Sequence, residues 1–91
     1  MDKSKLELLN VSTDLLRAID HYLNIQNPRY DNCQFLQNIF KNFPQLVKLD
    51  PNIKKYINLK SLQADSDPPR VKAEDLLLAS VRLQSYIIHH V

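Results

Sequence analysis

Ninety-one residues, with 44% apolar and 24% charged side chains, suffice for one domain with a thin core and are too apolar for a disordered chain. A formal net charge of +2 does not by itself call for a nucleic-acid or anionic-membrane partner. The chain contains no glycine, which removes phosphate-cradling loops, the Gly-x-Ser-x-Gly elbow and the close backbone–substrate approaches that active sites commonly use.

No apolar run approaches the roughly 18 residues that span a bilayer. The opening Met1-Asp2-Lys3-Ser4-Lys5 leads into leucines broken by Glu7 and Asn10, unlike the unbroken apolar centre of a signal peptide. The single cysteine, Cys33, has no partner for an intramolecular disulfide and points to a reducing, intracellular compartment, cytoplasmic or nuclear.

In chain order, Ser4-Lys5-Leu6-Glu7 fits a capping box that opens a helix running to about Leu23. Leu8, Leu15, Ile19 and Tyr22 share one stripe of it, and Leu9, Leu16 and Leu23 lie beside them at spacings of seven. Ser12 and Thr13 interrupt the pattern and would bend one helix or start a fresh one. Asn24 to Asn32 reads as a loop, because Pro28 drives Asn27 out of the helical region. Asp31 or Asn32 is then the cap of a second helix, Cys33 to Phe43, with Leu36, Ile39, Phe40 and Phe43 facing inward. Pro44 ends or kinks that helix. Gln45 to Leu49 adds one further turn, with Leu46, Val47 and Leu49 directed at the core.

Asp50-Pro51 is a restart signal, an acidic N-cap followed by proline at the first helical position. It opens a third helix to about Leu62, with Ile53, Tyr56 and Ile57 on one face. Residues 63–70, with two prolines and almost no apolar side chains, form the expected flexible loop. The last helix, Lys72 to Val91, is the longest. On a wheel, Ala73, Leu76, Ser80, Leu83 and Ile87 form one stripe, widened on its far side by Ala79 and Tyr86. Leu77, Val81 and Ile88 form a second stripe about 100° away, interrupted by Gln84. No period-two alternation persists, so the fold class is all-α: a small single-domain bundle of four to five helices with a long C-terminal helix.

The candidate chemistry is sparse. His89 and His90 are neighbours on a helix and point about 100° apart, so they do not clasp one ion together; they complement the negative end of the helix instead. Cys33 with His21 would make a nucleophile and base only with a thiolate-stabilising environment, and a lone cysteine more often serves as a small buried apolar residue. No catalytic, metal or cofactor site is therefore expected.

Eight basic residues face four acidic ones between Arg29 and Lys72, and Lys41, Lys48, Lys54 and Lys55 are candidates for phosphate contacts. They are scattered, however, and no base-reading helix accompanies them. The apolar surplus of the last helix is the stronger feature. The expectation is a non-enzymatic subunit, adaptor or regulator that binds another protein, a second copy of itself or a different chain, through Leu77, Val81, Tyr86 and Ile88. A nucleic-acid-binding regulator using the four lysines is the alternative.

Overall fold

A computed structural model describes residues 3–90, so Met1, Asp2 and the predicted helix end at Val91 lie outside it. Four α-helices make up the chain: α1 (Lys3–Asn24), α2 (Gln34–Leu49), α3 (Leu59–Gln63) and α4 (Pro69–His90). Short 3-10 turns at Tyr30–Asn32 and Pro51–Lys55 precede α2 and α3 respectively, and no strand occurs among the described residues.

The frame is an antiparallel pair, α1 and α4. The Gln84 amide of α4 donates to the Ser12 hydroxyl of α1 at 3.0 Å, while the Lys72 ammonium lies 5.5 Å from the ring centre of Tyr22. Progress toward the C-terminus of α1 therefore runs toward the N-terminus of α4. Each helix buries a stripe at three- and four-residue spacing: Leu8, Val11, Ser12, Leu15, Ala18 and Tyr22 on α1, and Ala73, Leu76, Ser80, Leu83 and Ile87 on α4. The small members of these stripes let the two backbones approach closely. Burying each large aliphatic side chain is worth about 1.5–3 kcal/mol, and α2, the Pro51–Lys55 turn and α3 close the same core with Leu36, Ile39, Leu46, Ile53, Ile57 and Leu62.

Several local details differ from the sequence reading. Ser4 is already inside α1, so the Ser4–Glu7 capping box is not the start of the helix. The bend or break at Ser12–Thr13 does not occur: α1 is continuous, the Thr13 hydroxyl donates to the Leu9 carbonyl at 3.0 Å, and Ser12 is buried against α4. The cap of α2 is Cys33 rather than Asp31 or Asn32, because the Tyr30–Asn32 turn intervenes and uses Asn32 itself. The Asn32 side-chain oxygen accepts from the Arg29 amide at 3.0 Å, and Gln37 reaches back to the Tyr30 and Asp31 carbonyls at 2.9 and 2.8 Å. Asn27 adopts φ of 53°, the left-handed conformation that asparagine tolerates better than most residues.

Pro44 neither ends α2 nor separates off a further turn; the helix runs through it to Leu49. Proline deletes one hydrogen bond to the carbonyl four residues back, that of Phe40. Phe40 is exposed, so water can reach that carbonyl, and buried Ile39 and Leu46 hold the turns on either side. Phe40 and Leu49, expected in the core, are thus on the surface. The predicted third helix is split. Its Asp50 cap forms, accepting from the Asn52 amide at 3.0 Å, but the 3-10 turn stops at Lys55. Asn58 then turns extended and caps α3 through its side-chain oxygen, which accepts from Lys60 and Ser61. Asparagine competes with the helical backbone for its own hydrogen bonds, which is the reason for the interruption.

Candidate interaction surface

The second stripe of α4 stays outside the core. Leu77, Val81 and Ile88 are 48%, 54% and 74% exposed, and on α1 Leu16 and Leu23 are 45% and 57% exposed. Their positions follow from the wheel. On α4 the stripe lies on the same side of the buried face as Gln84; on α1, Leu9, Leu16 and Leu23 lie on the same side as Ser12. Gln84 and Ser12 are hydrogen-bonded to each other, so both stripes border one seam. The result is a two-helix apolar face with a single polar pair near its middle. Leu9 and Ile19, half-buried, form its floor.

Tyr86 is not part of that face. It is half-buried on the opposite flank of α4, stacked on Tyr56 with ring centres 5.0 Å apart and on His90 at 5.4 Å. Its hydroxyl donates to the Asp50 carboxylate and accepts from the Asn52 side chain at 3.2 Å. The Asp50 hydrogen bond raises the phenol above its ordinary pKa, with burial adding to it. Tyr86 therefore ties the end of α4 to the start of the Pro51–Lys55 turn.

The four lysines of the alternative reading are exposed but dispersed. Lys48 lines a shallow cleft with Lys3 and Glu7 between α1 and α2, whereas Lys55 lies beside Tyr56, Tyr86 and His90. Lys41 is on the outer side of α2, two turns from Lys48, and Lys54 is on the 3-10 turn.

A polar cluster that sequence reasoning missed joins three elements. Lys72 is 5% exposed, and its ammonium donates to the Ser61 and Leu62 carbonyls at 2.9 and 2.7 Å and to that of Ala64. Asp65 accepts from the Tyr22 hydroxyl at 3.0 Å and from the Tyr30 amide. The connection expected to be flexible is thus hydrogen-bonded to α1 at one end. Burial, and then the Asp65 hydrogen bond, push the Tyr22 phenol up; burial pulls the Lys72 ammonium down, against the attraction of Asp65.

Comparison of the chain with protein-family models, with curated proteins and with solved structures finds no match. The site therefore has to be read from its own chemistry. Cys33 is fully buried, and burial raises its thiol, the reverse of what a nucleophile needs. His21 engages the Asn32 side chain at 2.8 Å rather than the thiol. Among the described residues, no group of three or more His, Cys, Asp or Glu side chains converges on a point where an ion would sit. The largest clefts are open grooves on the surface, and no described helix is long and apolar enough to cross a membrane.

Proposed function

We propose that the protein is a non-enzymatic interaction module that binds another protein chain through the α1–α4 face, acting inside the cell where its lone thiol stays reduced. One observation carries the reading: five large aliphatic side chains, each 45–74% exposed, lie on the stripes of α1 and α4 that border the Ser12–Gln84 seam. Isolated exposed apolar residues are ordinary on a soluble domain; a contiguous stripe on two paired helices is the usual form of a helix-docking surface. Tyr86, included in the sequence expectation, is replaced in this reading by Leu16 and Leu23.

The test is site-specific photo-crosslinking in the cells that make the protein. A photoreactive side chain at Val81 or Ile88 should yield discrete higher-mass products, and one at exposed Lys41 on the opposite side of the bundle should not. Mass spectrometry of each product then reports whether the partner is the same chain or another. Equal, diffuse labelling at all three positions refutes the reading.

A further inference from the structure

We propose that the occupant of this face is a second copy of the chain, packed across a two-fold axis that runs perpendicular to the helices, so that α1 lies antiparallel on α1 and α4 antiparallel on α4. The inference rests on the interaction-module reading and names its partner. Its support is the internal symmetry of the face.

On α1 the part of the face from its buried edge outward runs Leu9, Ser12, Leu16, Ile19, with Leu23 beyond it, and on α4 it runs Leu77, Val81, Gln84, Ile88, each alternating spacings of three and four as a helix–helix seam requires. A two-fold axis between Ser12 and Thr13 sets Leu9 of one copy against Leu16 of the other. An axis between Arg82 and Leu83 sets Leu77 against Ile88 and Val81 against Gln84. These are not two independent choices. The Ser12–Gln84 and Tyr22–Lys72 contacts place the Ser12–Thr13 level of α1 beside the Arg82–Leu83 level of α4, within about one residue of rise. One axis therefore satisfies both helices.

The charges on α1 obey the same operation. Lys5 and Asp20 flank the stripe at opposite ends, and the axis that pairs Leu9 with Leu16 also pairs Lys5 with Asp20 of the second copy, twice per dimer. Asp20 is exposed and, among the described residues, its carboxylate accepts from the Asn24 side chain at 2.6 Å, leaving acceptor capacity for a lysine. The alternative two-fold, parallel to the helices, would lay α1 on α4 of the second copy and keep Lys5 and Asp20 at opposite ends of the bundle. The extent of the face also fits. The long side of the molecule measures 38 by about 20 Å, an outline of about 760 Å² that bounds a flat contact from above and comes close to the ~800 Å² per partner of a standard stable interface. A dimer of helical hairpins packed in this way is a four-helix bundle with antiparallel neighbours.

The experiment is sedimentation equilibrium of the full chain across a concentration series. The wild type should reach twice the 10.6 kDa chain mass. Ile88→Asp should stay monomeric with unchanged helical circular dichroism. Lys5→Glu and Asp20→Lys should each weaken dimerisation about tenfold, the scale of two exposed ion pairs turned repulsive. Both single changes favour the α1 dipole, so weakening is not a loss of helix. The double variant Lys5→Glu with Asp20→Lys should return to within about threefold of wild type. A monomer at every concentration overturns the proposal, as does a double variant no better than the singles. Monomeric mass together with a crosslinked foreign chain at Ile88 removes the dimer and leaves the interaction module standing; monomeric mass with no discrete crosslink removes both.

Discussion

Replacing Lys72 by methionine tests whether the buried ammonium holds the fold together or merely survives in it. Methionine keeps the length and apolar stem and removes the charge and the donors. Three carbonyls then lose their partner: those of Ser61 and Ala64, which are exposed and can turn to water, and that of Leu62, which is buried. Stranding one buried acceptor costs about 1–3 kcal/mol, and losing the cation over the Tyr22 ring adds about 1 kcal/mol. Opposing these is the desolvation of the ammonium, 5% exposed, which also pulls its pKa down. The net should be a destabilisation of about 2–3 kcal/mol, a substantial part of the roughly 5–14 kcal/mol expected for a domain of this size. On a chain this short that corresponds to a fall in Tm of about 10–20 °C. Urea unfolding followed by circular dichroism measures it directly. A loss below about 1 kcal/mol, or a gain, would refute the reasoning and show that desolvation outweighs what the carbonyls lose.

Two further predictions concern other buried polar groups. The Ser80 hydroxyl is 1% exposed and has no hydrogen-bond partner among the described residues, so Ser80→Ala should be neutral or stabilising by up to about 1 kcal/mol in urea unfolding; a loss above about 1 kcal/mol would show that the hydroxyl is satisfied. The Tyr22 phenol has a folded-state pKa above its unfolded value of about 10, so its contribution is complete below pH 10 and is lost as pH rises beyond it. Cys33 and Tyr86 act in the same direction, whereas Lys72, whose pKa is lowered, gains stability with rising pH below its unfolded value. Tyr22→Phe should flatten the alkaline fall in stability, read as Tm between about pH 9 and 11, and an unchanged slope would contradict the assignment.

How much of this was legible in the residues depended on how far apart the interacting groups lie in the chain. Helical class, the long last helix and its inward stripe follow from spacing, because apolar periodicity is a local signal that packing reinforces. The Asp50 cap was readable for the same reason, since cap and helix are neighbours. Tertiary contacts outweighed a local signal at Pro44, where buried neighbours carried α2 through, whereas at Asn58 one local signal overrode another, its side-chain cap breaking the third helix despite a suitable apolar pattern. The Lys72–Asp65–Tyr22 cluster left no sequence signal, since its members are separated by up to 50 positions and look like ordinary surface residues one at a time. Tyr86 sat on the margin of the first stripe, and only the fold shows Tyr56 and Asp50 waiting for it there.

The apolar surplus of α4 is divided by what its neighbours can cover. A helix in a small bundle has neighbours on two sides at most, and α4 spends its buried stripe on the common core and its far flank on Tyr56 and Asp50. The remaining side faces away from α2 and α3, so among the described residues no element covers Leu77, Val81 and Ile88. Apolar residues at such positions cost solubility and return nothing to the isolated fold. Polar residues would serve a monomer equally well there, as Gln84 shows by occupying the same stripe with a hydrogen bond to Ser12. The aliphatic side chains on either side of it gain stabilising energy only when a further surface removes them from water, and the paired spacing on α1 is the reason a second α1–α4 hairpin is proposed as that surface.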